Sequence, residues 1–157
     1  MPSVRNFLTA LTRSEETGKE IAQDVFVTLW ERRENIDPEK NISGYLYTIA
    51  KNYALKHFNR QKNAFTEELS EADRLVGELA PDEALIAREK EILIEIAVSR
   101  MPAQRKRIYE LSRKEGLSNG EIAEQLRISK NTVENHITSA LKDLREVLGL
   151  FTFLIFS

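Results

Sequence analysis

Cysteine is missing from all 157 residues, and that absence removes two classes of site at once. No disulfide framework and no thiolate metal site can be built, which fits a reducing, cytoplasmic setting. Glycine and proline are scarce, at six and four residues, which disfavours a turn-rich β fold. Long apolar runs are missing too. No window reaches the roughly 20 apolar residues that span a bilayer. The start, MPSVRNFLTALTRSEE, lacks the apolar stretch and small-residue cleavage site of a signal peptide. His57 and His136 are far apart and have no ligand-spaced partners. There is no Gly-rich phosphate loop and no nucleophile–base pattern. The chain therefore reads as a non-enzyme, with no catalytic residue, no metal and no cofactor.

What is present is apolar and charged in balance. Hydrophobic residues make up 41% and charged residues 31%, enough to bury a core and remain folded. The net charge of −2 is unevenly spread. Residues 1–63 carry net +2, residues 64–83 net −6 and residues 84–157 net +2. One acidic segment hides two mildly basic ends. Lys40 to Thr66 holds Lys40, Lys51, Lys56, Arg60 and Lys62 and no acid, a local field that a polyanion could use.

Helical periodicity runs along nearly the whole chain, so the fold class is all-α. Ser3 opens a short helix with Val4, Phe7, Leu8 and Leu11 on one face. Ser14 caps a longer one whose apolar positions are Ile21, Ala22, Val25, Phe26, Leu29 and Trp30. The run ENIDPEKN breaks the pattern as a loop. Ser43 caps a third helix, striped by Leu46, Ile49, Ala50, Tyr53, Ala54 and Phe58. From Ala64 to Pro81 the pattern decays into an acidic linker, with a weak turn near Leu75 and Val76. Asp82 caps the next helix, and Pro102 opens another that carries Ile108 and Leu111. Ser118 and Glu121 form a capping box before Ile122, Ala123 and Leu126. Ser129 caps the last helix, striped by Val133, Ile137, Ala140, Leu141, Leu144 and Leu148 and ended by Gly149. Two small helical domains, 1–63 and 84–148, are joined by the linker 64–83. An apolar tail follows over 149–157.

The stretch LSNGEIAEQLRISKNTVENHI, Leu117 to Ile137, has the order of a helix-turn-helix. Ala123 is the small residue where the second helix crosses, and Ile128 is the apolar residue buried in the turn. Arg127 stands where many such turns place glycine, because the turn often needs positive φ. Val133, Ile137, Ala140 and Leu144 face inward. Lys130, Asn131, Glu134, Asn135 and Thr138 share the opposite face. These residue types read base edges in a major groove. Ser129 and Thr132 complete the set at the helix start. Arg105, Lys106, Arg107, Arg113 and Lys114 follow one another closely enough to meet phosphates. The plainer reading is a capped helical hairpin with a solvated polar face.

Met101–Glu146 resembles the fourth conserved region of bacterial RNA polymerase sigma factors. EIAQDVFVTLWERRENI (Glu20–Ile36) and NISGYLYTIAKNYALKHFNRQKN (Asn41–Asn63) resemble their second region. Two regions around one linker is the layout of the extracytoplasmic-function (ECF) group. The helix-turn-helix alone is also similar to LuxR-type regulators, and the first half decides between the two. The resemblance implies two partners, core RNA polymerase and promoter DNA. It implies polymerase contacts at Gln23, Asp24, Val27, Trp30 and Glu31, with Phe26 and Leu29 more at home in the core. It implies −10 strand contacts at Lys40, Asn41, Tyr47, Asn52, Lys56 and Arg60. Tyr47, off the apolar stripe, is the stacking candidate, whereas Tyr53 and Phe58 belong to the core. The helix-turn-helix would read the −35 element. The tail VLGLFTFLIFS folds back on the C-terminal helices or on another copy, or else forms a patch for an anti-sigma factor.

Overall fold

The computed structural model describes residues 2–37, 39, 42–61 and 83–156, with residues 2, 60, 61 and 83 described by backbone alone. Among the described residues there are seven α-helices, one 3-10 turn and no strand. They are α1 (Pro2–Thr12), α2 (Glu15–Glu31), the 3-10 turn Arg33–Asn35, α3 (Ile42–Gln61), α4 (Glu83–Ser99), α5 (Ala103–Arg113), α6 (Asn119–Leu126) and α7 (Lys130–Phe156). The linker, its weak turn and the Asp82 cap lie outside the described residues.

Short polar side chains set several helix starts. Ser14 caps α2, its hydroxyl accepting from the Thr17 N–H at 3.2 Å. Ser118 caps α6 in a complete box: the Glu121 N–H donates to Ser118 Oγ at 3.1 Å, and the Ser118 N–H donates to Glu121 Oε1 at 3.3 Å. Pro102 precedes α5 by one residue, its φ of −52° already close to helical. The third helix begins at Ile42, one residue before the Ser43 expected to cap it.

The first three helices form one unit. Val4, Phe7, Leu8 and Leu11 of α1 are buried against Ile21 and Val25 of α2 and Ala50, Ala54 and Phe58 of α3. The approach of α1 to α2 is set at Gly18. A Cβ there would lie 2.5 Å from Thr9 Oγ1, 2.7 Å from its backbone nitrogen and 2.8 Å from its Cα. Two of those atoms are backbone and cannot swing away. Gly18→Ala is therefore expected to lower the unfolding free energy by roughly 1–3 kcal/mol, read as a lower urea midpoint. An unchanged midpoint would mean that α1 shifts without cost.

The helix-turn-helix has its own small core of Ile108, Leu111, Ile122, Ala123 and Val133. Leu117, Leu126, Ile128 and Ile137 pack on its edge. Beyond Ile137, α7 changes partners. Ala140, Leu144, Val147, Phe151, Leu154 and Ile155 enter the cluster that holds α1, α3 and α4. The tail expected from Gly149 onward is thus the continuation of α7, a single helix of 27 residues. It packs not on the C-terminal helices alone but also against α1 and α3 of the first half. Gly149 is exposed. A glycine inside a helix costs about 1 kcal/mol, well below what the four apolar side chains around it gain by burial.

Aromatic and polar contacts bind the two halves. Tyr47 is fully buried, with its ring 4.7 Å from Phe151 and 5.8 Å from Phe7. Its hydroxyl donates to Glu89 Oε2 at 2.6 Å, and Lys51 Nζ donates to the same oxygen at 2.8 Å. Burial, reinforced by the negative charge and hydrogen bond of Glu89, raises the Tyr47 phenol far above its ordinary range, so it stays un-ionised. Arg100 of the α4–α5 turn lies over Phe58 at 4.6 Å. Asp143 of α7 accepts from Arg13 at 2.6 Å and from Arg105 at 2.8 Å.

Candidate nucleic-acid interface

The helix-turn-helix turn is built as the residue order predicts. Arg127 adopts the left-handed conformation, φ 56° and ψ 47°. That costs a non-glycine residue about 1–2 kcal/mol. The Ile128 N–H bonds the Ala123 carbonyl at 3.0 Å, which turns the Ile128 side chain toward the small core. Ser129 then caps α7. Its Oγ accepts from the Thr132 N–H at 3.0 Å and lies 2.8 Å from Thr132 Oγ1. Ser129 and Thr132 are thus tied to each other and hold the helix start in place.

On the outer face Lys130, Asn131, Glu134, Asn135 and Thr138 are all exposed. Val133 is fully buried and Ile137 half-buried on the inner face. One polar strip therefore stands clear over the first turns of α7. Glu134 beside Lys130 keeps the strip from being a plain cation, which favours selective over indiscriminate contact. Arg107, Arg113 and Lys114 are exposed near it in sequence, on α5 and just after it. Arg105 is a correction to that set. It is half-buried and donates to Asp143, so it is an internal tie rather than a free phosphate contact.

The α3 set fares differently. Lys40, Asn41 and the Arg60 side chain lie outside the described residues. Tyr47 is a correction: at 0% exposure, between Phe7, Phe151 and Glu89, it has no face on which a base could stack. Asn52 is a second correction. It is 8% exposed, and its Nδ2 has no hydrogen-bond partner among the described residues. Lys56 is half-buried and lines a cleft of about 520 Å³ with Glu20, Asp24, Glu31 and His57. Tyr45 is half-exposed near the start of α3, with Arg32 donating to its hydroxyl at 3.4 Å. Phe58 is core as expected, whereas Tyr53 is half-buried with its hydroxyl bonded to Thr28 Oγ1.

On α2 the buried line is Gly18, Ile21, Val25 and Thr28. Phe26 is not core but 55% exposed, beside Val27 at 52% and Trp30 at 60%. Leu29 is half-buried. The Arg33 guanidinium lies 4.2 Å from the Trp30 ring centroid and donates to the Trp30 carbonyl at 2.8 Å, which sets the cation over one face of the indole. Gln23, Asp24 and Glu31 are exposed on the same helix. Phe26 is the residue that sequence reasoning missed. Its signal was its offset of one position from the line Ile21, Val25, Thr28.

Two family models match the chain. The family model for sigma-70 region 2 matches residues 1–64, and that for sigma-70 region 4 matches residues 91–144. The ECF RNA polymerase sigma factor RpoE of Cereibacter sphaeroides is 26% identical over 152 residues, covering 92% of this chain and 80% of that protein. SigW of Bacillus subtilis, also an ECF RNA polymerase sigma factor, is 25% identical over 140 residues, covering 83% and 75%. SigL of Mycobacterium tuberculosis, of the same description, is 25% identical over 141 residues, covering 88% and 78%.

Proposed function

This chain belongs to the sigma-70 family, in its extracytoplasmic-function group, and on that premise we propose how its surfaces divide the work of initiation. It is a promoter-directing sigma factor of RNA polymerase and not a LuxR-type regulator. Sigma factors are non-catalytic initiation factors.

The division into residues 1–63 and 84–148 gives each half one task. The exposed strip Lys130, Asn131, Glu134, Asn135 and Thr138 reads the −35 duplex, with Ser129 and Thr132 fixing its start. Arg107, Arg113 and Lys114 hold the phosphates. The Phe26, Val27 and Trp30 face, flanked by Gln23, Asp24 and Glu31, docks on core polymerase. Tyr45 beside Arg32, with Lys56, serves the −10 strand, since single strands are held by aromatic surfaces among cations. Lys40, Asn41 and Arg60 belong to the same role. The observation that carries this reading is the pairing, in one chain, of a capped polar helix face with a separate exposed aromatic face. A cytoplasmic location accompanies it; no described helix is long and apolar enough to cross a membrane. Control by an anti-sigma factor also belongs to it, with the exposed Phe153 and Phe156 edge as the surface used.

The test mixes purified chain with core polymerase and follows transcription from a promoter library. Selective initiation supports the reading, and absence of both core binding and initiation defeats it. Within that assay Asn135→Ala is expected to relax base choice at one position of the −35 element, at a cost of roughly 1–3 kcal/mol. Arg113→Ala should instead weaken duplex binding on all sequences and flatten its salt dependence. Identical selectivity profiles for the two variants would remove the distinction between reading and holding.

A further inference from the structure

The last turns of α7 bury one face and leave the opposite one bare. Lys142, Arg145, Gly149, Phe153 and Phe156 are all exposed. Their spacing of three, four, four and three residues keeps them on one face of the helix. The order along that face is cation, cation, glycine, ring, ring, symmetric in spacing about Gly149. Phe153 and Phe156 are each 62% exposed. The Lys142 and Arg145 side chains have no hydrogen bond or ion pair among the described residues. Gly149 has no steric reason within the chain. A Cβ at Gly18 would lie 2.5 Å from Thr9 Oγ1, whereas a Cβ at Gly149 would meet nothing within 4 Å. Glycine inside a helix is less favourable than alanine. What it permits at an exposed position is the close approach of another backbone.

We propose that two copies of this chain pair through this face of α7, antiparallel and crossing at Gly149, with Arg145 of each copy set on Phe153 of the other. In a two-fold pair, residues equally far from the crossing point on opposite sides face one another. Arg145 stands four residues before Gly149 and Phe153 four after. Lys142 stands seven before and Phe156 seven after. An antiparallel pair therefore brings each cation to a ring, and does so twice. A parallel pair would bring Lys142 to Lys142 and Arg145 to Arg145, like charge against like. The face is thus complementary to itself in one orientation, which is the argument for a second copy over any other occupant. Its size sets the strength. At 62% exposure each phenylalanine offers on the order of 100 Å², so the four rings of a pair bring about 400–500 Å². Stable interfaces bury roughly 1,200–2,000 Å². The pair is therefore weak and concentration-dependent, with Kd on the order of 10–100 μM. This is also the edge proposed for an anti-sigma factor, so the pair and that complex exclude one another. The pairing rests on the exposed face of α7 and not on the sigma reading.

Sedimentation equilibrium of the purified full chain tests the pairing. A monomer–dimer equilibrium in the stated range is expected. A chain still monomeric at about 300 μM, above that range, overturns the proposal and leaves the edge to a partner of another kind. Two variants then locate the contact. Gly149→Ala adds a Cβ where the single chain has open space, so its urea midpoint should hold or rise. Its dimer Kd should nevertheless rise at least about tenfold, because the second backbone is kept away. Phe153→Ala should raise Kd by a similar factor, about tenfold, with the fold intact. Dimers of unchanged Kd in both folded variants overturn the proposal. Orientation is read by disulfide formation, since the chain has no cysteine of its own. Arg145→Cys chains mixed with Phe153→Cys chains set the two thiols opposite one another and keep one native Arg145–Phe153 contact. The mixture should cross-link several-fold more than either variant alone. Cross-linking of each variant to itself at the level of the mixture or above overturns the antiparallel pair. Core polymerase and promoter DNA enter none of these measurements, so failure of the pairing and failure of the sigma reading are separate results.

Discussion

Phe151→Ala is expected to lower the unfolding free energy by about 3–5 kcal/mol, the range for removing a buried aromatic ring. Phe151 is 1% exposed, and its ring meets Tyr47 edge-on at 4.7 Å; Tyr47 in turn meets Phe7 at 5.8 Å. Truncation leaves a void at the middle of that row of rings. It also leaves the Tyr47–Glu89–Lys51 cluster open to water, where its hydrogen bonds contribute less. Phe153, two residues on and 62% exposed, is the internal control, and Phe153→Ala should stay within about 0.5 kcal/mol of the parent. Urea midpoints of the two variants check the contrast. Equal midpoints would show that the α7 end does not contribute to the common core.

The contrast also shows where sequence reading succeeds and where it stops. Caps are local. Ser14, Ser118 and Ser129 each bond a backbone N–H three residues on, so the sequence window that names the cap already contains its partner. The left-handed Arg127 was legible for the same reason: a turn between two phased helices needs that conformation at that position, whatever residue occupies it. Packing between distant segments is not local. Tyr47 falls off the apolar stripe of α3 because that stripe records only the α1 and α2 side. Its second buried side is made by Glu89 and Phe151, from the other half of the chain. Nothing near Tyr47 announces them. Gly149 illustrates the same limit. As a local signal it ends a helix, yet burial of Val147, Phe151, Leu154 and Ile155 carries the helix through it.

Phe26 failed for a subtler reason. Six apolar positions on α2 make a stripe wider than its one partner surface, and helical phase alone does not say which edge is covered. Gly18 and Thr28, neither strongly apolar, complete the buried line through close approach and a hydroxyl bond to Tyr53. Counting hydrophobic residues therefore shifts the centre of the stripe toward Phe26 and Trp30. The result is an exposed aromatic face that looks like core in sequence and like a docking surface in three dimensions.

That face carries the second large effect. Trp30→Ala is expected to weaken binding to core polymerase by at least about 2 kcal/mol, or roughly thirtyfold in Kd. Three features argue for so large a loss from one residue. Trp30 is 60% exposed, with most of its ring still to bury on docking. Phe26 and Val27 flank it and can exclude water from its edge once docked. Arg33, 4.2 Å over the ring, favours one pose of the indole and so reduces the side-chain entropy lost on binding. Arg33→Ala should accordingly give a smaller loss of about 0.5–1 kcal/mol through the missing cation–π contact. Because Trp30 supports little of the fold, the urea midpoint of Trp30→Ala should match the parent within about 0.5 kcal/mol. Binding of the free chain to a −35 duplex should also be unchanged. Titration against core polymerase, run beside the urea melt, separates the two roles. A destabilised Trp30→Ala with undiminished polymerase affinity would return Trp30 to the core and leave the docking surface to be found elsewhere on the chain.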